Sequence, residues 1–112
     1  MIAPIPGSPG NVRRRGWDHM KEVARLLAED GFAVIDLLER RGGPEQKGLG
    51  RAERHAAMVG SLRLRRGRAG QVDRPLVLLD DLRTSGASIE AAGEVVTQAK
   101  LSLAGAALLA IR

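Results

Sequence analysis

The segment Leu76 to Ser88 reads LVLLDDLRTSGAS, an apolar run that ends in two adjacent aspartates and passes at once into threonine, serine and glycine. The two halves ask for different partners. Free backbone N–H groups at a helix start, with the helix dipole behind them, favour a phosphate. Thr84, Ser85 and Ser88 add hydroxyl donors, and Gly86 lets the backbone come close with no Cβ in the way. Asp80 and Asp81 would repel that phosphate, so their partner must carry hydroxyl donors or a cation. A sugar phosphate offers both ends. The plainer alternative is that Asp81, Thr84 or Ser85 serves only as a turn or helix cap.

Such residues need a strand that stops at the acids and a helix that starts at the hydroxyls. Leu76 to Leu79 suits a central parallel strand covered on both faces, and Ile89, Ala92, Val96 and Ala99 then line one face of a helix. Leu103 to Ile111 reads as a last buried strand. Upstream, Met1 to Pro6 is a short apolar strand closed by the turn GSPGN. Trp17, Met20, Ala24, Leu27 and Ala28, widened by Val23 and Leu26, predict an amphipathic helix over 17–29 that Gly31 stops. Phe32 to Leu38 and Ser61 to Leu64 are two more strand candidates. Between them Arg40 to Arg54, RRGGPEQKGLGRAER, has four glycines, a proline and no apolar period, and reads as a long loop. Strands alternating with helices predict a single α/β domain over 1–112, a Rossmann-like open, mainly parallel sheet flanked by helices.

Composition excludes several functions. With no Cys there are no disulfides or thiolate metal sites, and His19 and His55 stand in no ligand spacing. No apolar run approaches a membrane span, and the start MIAPIPGSPG lacks the pattern of a secretory leader, so the expected compartment is the cytoplasm. No Walker A motif, dinucleotide fingerprint or Ser-His-Asp order is present. Residues 1–75 hold 15 basic and 9 acidic side chains against 3 and 4 in residues 76–112, so the +5 excess sits in the first two thirds. That field suits a polyphosphate or weak nucleic-acid binding. With 15 Arg and 3 Lys, a GC-rich codon bias explains it as well. The run RLRRGR (Arg63 to Arg68) is either a solvated face or a nucleic-acid patch, and Trp17 suits core packing better than base stacking.

LVLLDDLRTSGAS resembles the signature of type I phosphoribosyltransferases, which bind 5-phosphoribosyl 1-diphosphate (PRPP). APIP followed by RRRGWDHM, and EQKGLGRAER further on, resemble the corresponding segments of the ComF-like branch of that family. Departures fall at Arg83, at Trp17, Asp18 and His19, and at Ala57, where ComF-like chains usually carry Asn. Family members usually have an amino-terminal region with cysteine zinc ligands before the APIP-like strand, so the expectation is a truncated or divergent copy.

The resemblance implies transfer of a phosphoribosyl group to a nitrogen nucleophile with release of pyrophosphate. Asp80 and Asp81 would be the catalytic pair on the ribose hydroxyls; Arg83, Thr84, Ser85, Gly86, Ala87 and Ser88 would complete the PRPP loop. Gly7, Ser8, Arg15, Lys47, Arg51 and Arg54 would meet the pyrophosphate. For Arg15, and for Lys47, Arg51 and Arg54 singly, a solvated surface or loop cation is an equal alternative. The cofactor implied is Mg²⁺, held through PRPP itself, with Asp80 the candidate protein contact. The acceptor is not legible, and a chain this small suits a homodimer. The competing reading is a non-catalytic PRPP-fold module linked to competence and DNA uptake, with a nucleic-acid or protein partner.

Overall fold

In chain order the structure runs β1 (Ile2–Pro4), α1 (His19–Glu29), β2 (Leu38–Arg40), β3 (Leu62–Leu64), β4 (Leu76–Asp81), α2 (Ala87–Gln98) and β5 (Leu103–Leu109). It is a computed structural model and describes residues 1–7, 19–40, 61–81 and 87–109.

Strand β4 lies in the middle of a three-stranded sheet, between β1 and β5 and parallel to both. Its apolar residues alternate between two covered faces, which is why the run needs no polar side. Leu76 and Leu78 join Ala3, Ile5, Leu37, Leu38 and Leu62 and the Ala91, Ala92 and Val96 face of α2 in one cluster. Removal of each large side chain from water there stabilises the fold by about 1.5–3 kcal/mol. Leu79, on the other face by alternation, is also buried, and α1 packs across β1 and β4. The strand runs two residues past the expected Leu79: both acids stay in the ladder, with Asp80 opposite Leu108 and Asp81 opposite Leu109.

A parallel bridge joins Ile2 to Val34 on the other side of β1. Ile2 N–H donates to Ala33 O at 2.7 Å, and Ile35 N–H donates to Ile2 O at 2.8 Å. The strand expected over Phe32 to Leu38 is thus corrected to this bridge, with Phe32 exposed. Regular pairing starts at Leu38 and belongs to a separate antiparallel ribbon with β3, in the register Leu38 to Leu64, Glu39 to Arg63 and Arg40 to Leu62. Arg40, expected in the long loop, is therefore a strand residue.

Three other expectations shift. In α1 the buried side is narrow: Met20 is buried, Val23, Ala24 and Leu27 are half-buried, and Leu26 and Ala28 face out. The exposed side carries an ion-paired triad, in which Arg25 donates to Glu22 and Glu29 and so holds the Glu22 carboxyl below its usual range. In α2 the buried face is Ser88, Ala91, Ala92 and Val96, rotated from the expected one, with Ile89 and Val95 flanking it and Ala99 beyond the helix. Alanine at 91 and 92 lets the helix lie close to the sheet. Strand β5 is not buried as expected. Its residues from Leu103 to Leu108 are exposed, Leu108 at 50%, because it lies at the sheet margin. Among the described residues no helix is long and apolar enough to cross a membrane.

Both helices end in the same motif. Gly31 (φ 94°) donates to Ala28 O, and Phe32 N–H donates to Leu27 O. Lys100 (φ 61°) donates to Thr97 O, and Leu101 N–H donates to Val96 O. These paired bonds satisfy the last carbonyls of each helix and require a left-handed residue at the first position past it.

Candidate functional site

Sheet order locates the crevice before any side chain is considered. From β1 the chain passes through α1 and returns at Val34, on one side of β1; from β4 it passes through α2 and returns at β5, on the opposite side of β4. The connections leave β1 and β4 in opposite directions, so the gap beyond their carboxyl ends is a topological switch point, where open parallel sheets bind ligands. One wall of that gap is the chain after β1, Ile5 to Gly7; the other is Asp80, Asp81 and the start of α2.

The ladder levels the two walls. Pro4 is opposite Leu79, and Ile5 N–H donates to Leu79 O at 2.9 Å, so Ile5 and Pro6 stand at the height of the acids and Gly7 follows just beyond. Asp80 and Asp81 are 3% and 8% exposed. A core rarely holds two adjacent carboxylates, since each must keep polar partners to stay ionised away from water. They project to opposite faces of β4, Asp80 to that of Leu76 and Leu78, where α2 packs. Ser88, 2% exposed, sits in the first turn of α2 on the same side of the sheet, one helical turn before Ala91 and Ala92.

The residue that sequence reading missed is Arg40. From the end of β2 its guanidinium reaches three segments: Nε donates to Pro6 O at 2.9 Å, one terminal nitrogen to Ser61 Oγ at 3.3 Å, and the other to Ser88 Oγ at 3.1 Å. Pro6 is on one wall of the crevice and Ser88 on the other. Sequence pattern gives no signal for it, because a charged residue two places after Leu38 breaks the alternation a strand would continue.

Of the predicted site residues, the structure brings Gly7, Asp80, Asp81 and Ser88 to this edge, with Ala87 at the first position of α2. Ser8, Arg15, Lys47, Arg51, Arg54, Arg83, Thr84, Ser85 and Gly86 lie outside the described residues, as does the segment 41–60. A shallow cleft lined by Pro4, Pro6, Met20, Lys21, Asp36 and Arg65 shares Pro6 with the crevice but holds none of the predicted residues.

Part of the basic run is committed elsewhere. Arg63 Nε donates to Glu39 at 2.7 Å across the ribbon, and Arg65 pairs with Asp36 and Glu39 at 3.2 and 3.6 Å. The Arg65 Nε contact has ion-pair distance without hydrogen-bond geometry, so its pull is electrostatic.

For a cation, the described residues hold no cluster of three or more His, Cys, Asp or Glu side chains. Mg²⁺ keeps several waters and typically takes one or two carboxylates together with substrate phosphate oxygens, so of the two acids on opposite faces a single one, Asp80 beside the start of α2, would suffice as its protein contact. No known family model, curated protein or solved structure matches this chain.

Proposed function

We propose that the crevice between β1 and β4 binds PRPP and that the chain is a phosphoribosyltransferase-type domain, transferring the phosphoribosyl group to a nitrogen acceptor with release of pyrophosphate. The observation that carries this reading is the buried pair Asp80 and Asp81 at the switch point, followed within seven residues by a helix start whose Ser88 is buried on the same side of the sheet.

Each wall has its task in this reading. The N–H groups and hydroxyls at the head of α2 take the 5-phosphate. The acids accept from the ribose hydroxyls, and their charge favours the cationic ring that forms as the bond from C1 to pyrophosphate breaks. The chain after β1, beginning at Gly7, receives the leaving pyrophosphate. Mg²⁺, when bound, neutralises pyrophosphate charge; PRPP's own oxygens would hold it, with Asp80 the candidate protein contact. The protein supplies position and field and needs no nucleophile of its own. For the competing nucleic-acid reading the ribbon is unpromising, since Arg63 and Arg65 are already paired with acids.

Calorimetric titration with PRPP, with and without Mg²⁺, tests the proposal. Saturable binding that requires Mg²⁺ is expected. Absence of saturable heat at millimolar PRPP with Mg²⁺ present refutes it.

A further inference from the structure

We infer that Arg40 is a positioning residue that sets the spacing between the two walls of the crevice; the inference rests on the PRPP reading above. Its guanidinium is a planar fork with five N–H donors, and three of its bonds end on segments far apart in the chain: the carbonyl of Pro6, the hydroxyl of Ser61 just ahead of β3, and the hydroxyl of Ser88. The backbone ladder between β1 and β4 holds the walls together up to Ile5 and Leu79. Beyond that point the bonds of Arg40 tie the first residues of one wall to the first turn of α2 in the other, from a half-buried position.

A residue in this place has a distinctive signature. A ligand that touches one wall is indifferent to the gap, whereas a ligand that must reach both is bound only when the gap is right. Pyrophosphate alone and ribose 5-phosphate alone are ligands of the first kind in the proposed arrangement, and PRPP is of the second. A lysine does not replace the arginine, since one ammonium on a flexible stem cannot hold three separate acceptors in a plane. A contribution from positive charge alone, by contrast, survives Arg40→Lys.

The test compares wild type, Arg40→Ala and Arg40→Lys by calorimetry against PRPP with Mg²⁺ and against pyrophosphate and ribose 5-phosphate without it, together with amide hydrogen exchange of these ligand-free proteins and of Ser88→Ala. Arg40→Ala and Arg40→Lys are expected to weaken PRPP roughly ten- to a hundredfold, the scale on which an ångström of misplacement acts. In the Arg40 variants the two fragments should change by less than about threefold; Ser88→Ala, which removes the bond to the second wall but also a hydroxyl of the proposed phosphate site, is read by exchange alone. Exchange should rise at Gly7 and at Ser88 to Ile89 together. Equal PRPP affinity in Arg40→Ala overturns the inference and leaves the PRPP reading standing. Rescue by lysine, or fragments weakened as much as PRPP, also overturns it, because Arg40 is then a ligand contact or a general support of the fold. If wild type binds no PRPP the functional reading fails, and exchange alone decides whether Arg40 joins the walls; Ser88→Ala supplies that answer should Arg40→Ala not fold.

Discussion

The two helix ends allow a quantitative test of the backbone, because the same motif is built once on glycine and once on lysine. Lys100 sits at φ 61° and Gly31 at φ 94°, each donating to the carbonyl three residues back. An L-residue in the left-handed region carries a cost of about 1–2 kcal/mol that glycine avoids. Glycine in turn loses about 0.5–1 kcal/mol more in chain entropy on folding. At the middle of those two ranges the net preference for glycine over alanine at either position is about 0.75 kcal/mol. An ideal Cβ at Gly31 meets nothing within 4 Å, so no clash adds to the conformational term there.

Lysine also interacts favourably with the carboxyl end of the helix, by a few tenths of a kcal/mol at an exposed site. Alanine at position 100 is the proper reference for that reason. Lys100→Gly should melt about 2–4 °C above Lys100→Ala, taking roughly 4 °C per kcal/mol for a chain of this size. Gly31→Ala should melt below wild type by a similar amount. Urea denaturation should give the same differences with unchanged slopes, since the surface exposed on unfolding is the same. A Lys100→Gly variant no more stable than Lys100→Ala refutes the left-handed conformation at this position, and with it the shared motif.

Two further outcomes are expected. Asp80→Asn combined with Asp81→Asn should weaken PRPP binding in calorimetry while leaving sulfate binding unchanged or tighter, since only the sugar hydroxyls and cation need the carboxylates; loss of sulfate as well means that the acids hold the loop together. Leu108→Lys on the exposed face of β5 should leave the melting temperature within about 2 °C, as a surface change does, and should lower light scattering at high concentration, because a charge on an uncharged strand hinders edge pairing; a large loss of stability means that Leu108 is covered.

How much was legible depended on what each segment's pattern could encode. Leu76 to Leu79 is apolar at every position and fits only a strand covered on both sides, so β4 and the placement of the acids at its end followed from sequence. The helix stop at Gly31 was equally readable, because glycine's use there is conformational. The run Leu103 to Ile111 is as apolar as β4 and so reads as buried, yet Leu, Ala and Gly in succession describe a strand without saying whether anything lies against it. Lys100 gives no sign of a left-handed residue, since the motif is normally marked by glycine or asparagine. Phe32 to Leu38 has the pattern of one strand, yet its hydrogen bonds are divided between Ile2 on one side and the β3 ribbon on the other.

The crevice itself shows why a motif alone underdetermines a site. The acids and the hydroxyls after them belong to one wall, which is contiguous in sequence and could be read there. The other wall depends on strand order, that is, on Val34 returning beyond β1 while β5 returns beyond β4. No local pattern specifies that order; it arises because each connection crosses the sheet in its own direction. Arg40 belongs to neither wall in sequence, yet its bonds to Pro6, Ser61 and Ser88 have meaning only once both walls are placed. The chemistry of Asp80 and Asp81 and the topology around them are thus independent reasons for the same location. Had β5 returned between β1 and β4, the motif would read identically and the crevice would be gone.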